Sequence, residues 1–180
     1  MGMRKVLAVV VAFVFGLSVF GCSSDPYKDF VCEDLVTMEQ LNTDSKYVAR
    51  GYLEALFLNN REMFGKCFPE GYIEDMEKVI GGDVFDQFAN TTVLGGDFLG
   101  SASTEYRDAT VNNGYDVASL RSRICRVAAC EYSDIGNIRI QKVQVLFMNS
   151  KEKKVADFFF IVYEMDGIWY MYELWSLKEF

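Results

Sequence analysis

The sequence predicts an α+β fold, with helices first and an antiparallel sheet behind them. Three observations carry this. Between Ile138 and Trp175 apolar residues recur at every second position, the period of a strand with a buried face. Between Ser45 and Ile80 they recur at every third or fourth position, the period of a helix stripe. The two patterns are also segregated along the chain, which separates α+β from an alternating α/β order. With 180 residues, 51% of them hydrophobic, the chain suffices for one domain with a real core and is short for two.

The sheet is the clearest element. Val143, Val145 and Phe147 alternate with Lys142, Gln144 and Leu146, and the polar run Asn149–Lys153 interrupts them as a hairpin loop. Phe158, Phe160 and Val162 share one face of a second strand. Asp166-Gly167 makes a tight turn, glycine accepting the positive φ that such turns require. Trp169, Met171 and Trp175 alternate with Ile168, Tyr170, Tyr172 and Leu174 in a third strand. Aromatic and β-branched residues dominate throughout, as strands prefer.

The helices follow from capping and periodicity. Asp44 or Ser45 can cap a helix whose stripe is Val48, Tyr52, Ala55 and Leu56. Asn59, with Glu62 three positions on, starts a second helix that Pro69 ends. Ile73, Met76 and Ile80 mark a third, stopped by Gly81-Gly82, and Val84–Val93 continues helically. Gly95–Gly100 reads as a flexible loop, since no Lys-Ser/Thr pair follows to make it a phosphate cradle. Glu105–Val111 reads as a short strand, and Asn112-Asn113-Gly114 as a turn. Asp116 caps a last helix with the stripe Leu120, Ile124, Val127 and Ala128, its arginines 121, 123 and 126 forming a solvated basic face. Pro26–Asn42 reads as an acidic spacer with Val31, Leu35 and Met38 at helical steps.

The N-terminus carries the strongest functional signal. Arg4 and Lys5 precede an unbroken apolar run, Val6–Phe15, too short to span a bilayer comfortably. Val19-Phe20-Gly21-Cys22 follows and resembles the bacterial lipobox, with Gly21 as the small residue before the cut and Phe20 bulkier than usual there. That resemblance implies a diacylglycerol on the Cys22 thiol and cleavage before it. The acyl chains then anchor the protein, at about 0.8 kcal/mol for each buried methylene. A plain secretion signal with an accidental cysteine is the alternative. The expected organisation is a signal peptide at 1–21, a tether at 22–43 and one domain at 44–180. The expected location is the cell envelope, outside the cytoplasm.

Charge and residue content exclude some functions. Loss of Arg4 and Lys5 with the leader leaves 16 basic against 26 acidic residues, a balance of −10. Such a surface repels phosphate backbones, so nucleic acid is not an expected partner. There is no histidine, the commonest general base and metal ligand. With no CxxC pair either, neither a metal site nor a cofactor is expected. Cys32, Cys67, Cys125 and Cys130 are an even number in an exported chain and allow three disulfide pairings, or stay free as small buried apolar groups. A Cys125–Cys130 bridge requires the helix to have broken between them.

The order of elements resembles the cystatin-like and nuclear-transport-factor-2-like domains, in which a long first helix lies in the hollow of a curved sheet. Ala49-Arg50-Gly51-Tyr52-Leu53-Glu54-Ala55-Leu56 and Gly167-Ile168-Trp169-Tyr170 look like the opening helix and closing strand of small exported lipoproteins of that kind. The resemblance covers about residues 44–176. It implies a pocket between helix and sheet, lined here by Tyr52, Phe158, Phe160, Tyr170 and Trp175, for an apolar ligand or a partner's side chains. On that basis the expected function is a non-catalytic, lipid-anchored binding or interaction module. Two alternatives stand beside it. One is an isomerase- or cyclase-like enzyme using Asp157 or Glu173 as a pocket base. The other is a structural accessory subunit of an envelope complex.

Overall fold

The computed structural model describes residues 27, 29–92, 96–110, 112 and 114–172. The signal segment, Cys22, Glu173 and Trp175 lie outside the described residues. The order is α1 (Ser45–Phe57), α2 (Arg61–Lys66), α3 (Tyr72–Ile80), α4 (Val84–Thr92), β1 (Asp97–Asp108), α5 (Val117–Ala128), β2 (Ile135–Asn149), β3 (Glu152–Met165) and β4 (Ile168–Met171). The four strands form one antiparallel sheet in the order β1-β2-β3-β4. The fold is α+β, as the segregated periodicities predict.

Caps set the helix starts. Asp44 accepts from Lys46 N to open α1, and Asp116 accepts from Ser119 N to open α5. The cap of α2 is Asn60, one residue later than the sequence suggests, because Asn59 takes a left-handed turn (φ 56°) to leave α1. Hairpin turns close the sheet. Ser150 and Lys151, like Asp166 and Gly167, both have positive φ, the twist that two-residue hairpins select.

Alternation along β3 sends side chains to two layers. Phe160 and Val162 join Val143, Val145, Trp169 and Met171 against α1, where Val48 and Tyr52 are buried. Ile161 and Tyr163 face the other way and meet Leu120 and Ile124 of α5. The sheet is therefore covered on both faces, α1–α4 on one and α5 on the other.

The expected loop at Gly95–Gly100 is largely strand. Residues 97–100 begin β1, and Gly100 is where Cys32 passes; a Cβ there would stand 2.3 Å from its Sγ. The expected tether also needs correction. Residues 33–43 form a strap that belongs to the domain, with Val36 and Leu41 in the core. Glu33 N donates to Ser101 O (2.9 Å) on β1, and Asn42 O accepts from Trp169 N (3.0 Å) on β4, so the strap reaches both edges of the sheet. It crosses α1 at Gly51, where a Cβ would lie 2.2 Å from Leu41 Cδ1.

A buried polar cluster fixes the strap to α1. Arg50 and Glu54, each 1% exposed, lie one helical turn apart. Arg50 donates to Glu33 Oε2 (2.6 Å), Asp34 O (2.5 Å), Ser101 Oγ (3.1 Å) and Glu54 Oε1 (3.0 Å). Glu54 also accepts from Val36 N (2.8 Å) and Ser101 Oγ (2.5 Å), while Glu33 Oε1 accepts from Ser103 N (2.7 Å). Two charges out of water are tolerable only with their hydrogen bonds filled in this way. Glu33, which looks like spacer, is a carboxylate partner of that arginine, and Asp34 supplies its backbone carbonyl.

Candidate functional site

The residues expected to line a pocket are not gathered around one. Tyr52 is 1% exposed and packs edge-on against Phe160, with ring centroids 5.4 Å apart. Phe64 and Phe68 close on Tyr52 at 5.5 and 5.9 Å. Burial pushes the Tyr52 phenol well above its ordinary pKa, so it stays protonated. Phe158 stacks on Phe160 at 6.2 Å at the border of this cluster. Tyr170 lies on the opposite face of the sheet, against Tyr163. The rings brought by α1, α2 and β3 thus fill the space where the resemblance implies a cavity.

Asp157 is not a pocket base either. It is half-exposed on the sheet face away from α1, paired with Lys142 Nζ (3.0 Å) and accepting from Gln144 Nε2 (2.7 Å). Glu173 lies outside the described residues. The arginines of α5 divide: Arg121 donates to the Ile135 and Gly136 carbonyls and so joins α5 to the start of β2, while Arg123 and Arg126 are exposed.

The four described cysteines are free. Cys67 is fully buried and its thiol contacts Met63 O at 3.2 Å; burial pushes its pKa far up. Cys32 is exposed over Gly100. Among the described residues no group of three Cys, Asp or Glu side chains is placed to hold a metal ion.

A cleft of about 370 Å³ opens elsewhere, between the start of α1 and the β1–β2 ladder. Asp44, Lys46, Glu105, Tyr106, Arg139 and Gln141 border it. The Arg139 guanidinium lies over the rings of Tyr106 (4.2 Å) and Trp169 (4.7 Å). It donates to Ser45 Oγ (3.1 Å) and to Asp108 Oδ1 (3.3 Å). Two rings and two acceptors hold the group in place, which suits an arginine that recognises a planar acceptor such as a carboxylate. Gln141, 1% exposed, is fixed by Ser103 Oγ (2.6 Å) and Glu105 O (2.8 Å).

The cleft adjoins an open strand edge. β1 is the outer strand of the sheet, and residues 104–108 are exposed. Among the described residues, the backbone bond on its outer side is Glu33 N to Ser101 O. An unpaired strand edge offers donors and acceptors to another extended chain. The arrangement can bind; of its two carboxylates, Asp44 is engaged as the cap of α1, and Glu105 is exposed on β1.

Sequence reasoning took the sheet from Ile138 but assigned faces only from Lys142 onward, and so passed over Arg139 and Gln141. The signal was present: the face carrying Val143 and Val145 continues backwards through Gln141 and Arg139, two polar residues on a face otherwise buried. Comparison with protein-family models, with curated proteins and with solved structures finds no match for this chain.

Proposed function

We propose that this chain is a lipid-anchored, non-catalytic interaction module of the bacterial cell envelope, with the cone-like architecture of cystatin-like and nuclear-transport-factor-2-like domains. In this reading the segment Met1–Gly21 exports it, Cys22 carries the lipid, and the open part of β1 receives an extended segment of an envelope protein. The observation that carries the reading is a filled helix–sheet interior beside an open strand edge and cleft. A filled interior argues against a small apolar ligand and turns recognition outward. The edge already takes an extended residue of the chain itself, since Glu33 pairs antiparallel with Ser101. A guest strand placed beyond that bridge gains main-chain hydrogen bonds from β1 and takes its selectivity from the cleft. There Arg139 favours an acidic side chain, while Asp44 and Glu105 disfavour a second one nearby. The ion-paired Asp157 gives the isomerase reading no support.

Photo-reactive amino acids placed in living cells test this. A probe at Thr104 should give a discrete adduct with one envelope protein, and a control probe at Lys153 should not. Arg139→Gln should remove the Thr104 adduct while the purified variant keeps its thermal transition. No adduct at Thr104, or the same adduct from Lys153, overturns the edge as the binding surface.

A further inference from the structure

We propose that Cys125 and Cys130 are a reversible dithiol–disulfide pair that staples the C-terminal end of α5. In an uninterrupted helix, residues five apart point to different sides. Here the helix stops at Ala129, which takes a left-handed conformation (φ 52°, ψ 42°). Both its N–H and that of Cys130 turn back to the Cys125 carbonyl, the latter at 3.1 Å. This is the doubled-back helix end that brings the last turn against the residue just past the cap. That turn sets residue 130 beside residue 125, and both side chains pack at the edge of the same apolar cluster.

The surroundings favour this pair over others. Both cysteines are half-buried at the rim of the α5 cluster, so a soluble oxidant reaches them. Cys67 is fully buried and Cys32 lies against β1, so neither offers an alternative partner. Tyr163 is fully buried, and its hydroxyl has no hydrogen-bond partner. It packs in the same cluster as both cysteines. It is a donor available to a thiolate formed during exchange.

The oxidant is a disulfide of a small thiol or of a thiol–disulfide oxidoreductase. Burial, then the neighbouring Cys125, push the Cys130 thiol up to about 11, so Cys130 is protonated at neutral pH. Exchange begins when one sulfur of the pair, for instance that of Cys125, loses its proton. Its thiolate attacks one sulfur of the external disulfide and expels the other as a thiolate. Cys130 then gives up its proton, attacks the Cys125 sulfur and expels the second external thiol. Two protein thiols lose two electrons and two protons, and one external disulfide becomes two thiols. The closed loop holds the last turn of α5 against the sheet layer of Ile124 and Tyr163.

The geometry stands apart from export; that an oxidant meets the pair in the cell rests on the envelope reading. Full-length protein in detergent should be equilibrated with glutathione–glutathione disulfide mixtures, alkylated and digested with trypsin. The expected product has lost two hydrogens, links the peptides 124–126 and 127–139, and leaves Cys67 alkylated only after unfolding. Oxidation should slow amide exchange in the last turn of α5 by about tenfold or more, since closing the loop restricts local opening. Cys125→Ser should abolish both effects. Separate glutathione adducts on Cys125 and Cys130 without the linkage, or an unchanged exchange rate in linked protein, overturn the proposal. Thiol trapping in intact cells separates the two readings, because a pair that links in vitro and is wholly reduced in cells counts against export alone.

Discussion

Arg50→Ala is expected to destabilise the domain by about 3–5 kcal/mol, the cost of removing one partner from a buried ion pair. Urea denaturation monitored by the tryptophan and tyrosine signal measures it. The size follows from what is left behind. Glu54 keeps its place at 1% exposure and loses a charged donor, and Ser101 Oγ and the Asp34 carbonyl lose theirs. Glu33 is 36% exposed at its side chain, so water compensates its loss more readily. The strap should also loosen, because Arg50 is its principal bond to α1. In Arg50→Ala, Cys32 should therefore react faster with a thiol reagent under native conditions. Replacing Arg50 and Glu54 together by Met and Leu should recover much of the loss, since two apolar groups leave no orphaned charge. A Glu54→Ala change as costly as Arg50→Ala, with the double replacement milder than either, identifies the pair as the coupled unit.

Phe160→Ala should cost a comparable amount, about 3–5 kcal/mol, through lost transfer energy and the cavity it opens. Phe160 is 1% exposed and touches Tyr52 and Phe158 by ring contact. The variant carries a second consequence. It should open, between α1 and the sheet, the apolar cavity that the family resemblance implies and the native side chains fill. Such cavities stay dry and bind small apolar molecules. Benzene should raise the melting temperature of Phe160→Ala and leave the wild type unchanged, as linkage requires of a ligand that binds only the folded variant. Stabilisation of the wild type by benzene would show that the interior is already open, and would return the aromatic-pocket reading to favour.

These two residues mark the boundary between what local pattern reveals and what it does not. Strand alternation around Phe160 and the stripe through Val48 and Tyr52 are direct projections of burial onto sequence period, so the α+β order, the second hairpin and the caps at Asp44 and Asp116 are readable. Pattern says which residues are inside; it does not say whether facing rings leave a gap. Tyr52, Phe64 and Phe160 come from three separate elements and Phe68 from the segment after α2, and only their packing shows the gap is closed. β1 was legible only in part, because Gly100 sits under Cys32 and seven of its twelve residues are exposed, Asp97 and Leu99 among them, which mimics a loop. The strap was hidden by its charge. Glu33 looks like solvated spacer until Arg50, 17 positions on, is found to pair with its carboxylate and with the neighbouring Asp34 carbonyl. The cleft was hidden for a similar reason, since Ser45, Tyr106 and Arg139 meet only in space.

The surface at β1 and the oxidation of Cys125 and Cys130 have meaning in the cell only if the chain leaves the cytoplasm and stays at the membrane. Metabolic labelling with an alkyne fatty acid tests that most directly, comparing wild type with Cys22→Ala. The account predicts a labelled wild-type protein in the membrane fraction, and a Cys22→Ala variant that is unlabelled and released by washing. An unlabelled wild type, or a Cys22→Ala variant labelled equally, would contradict it.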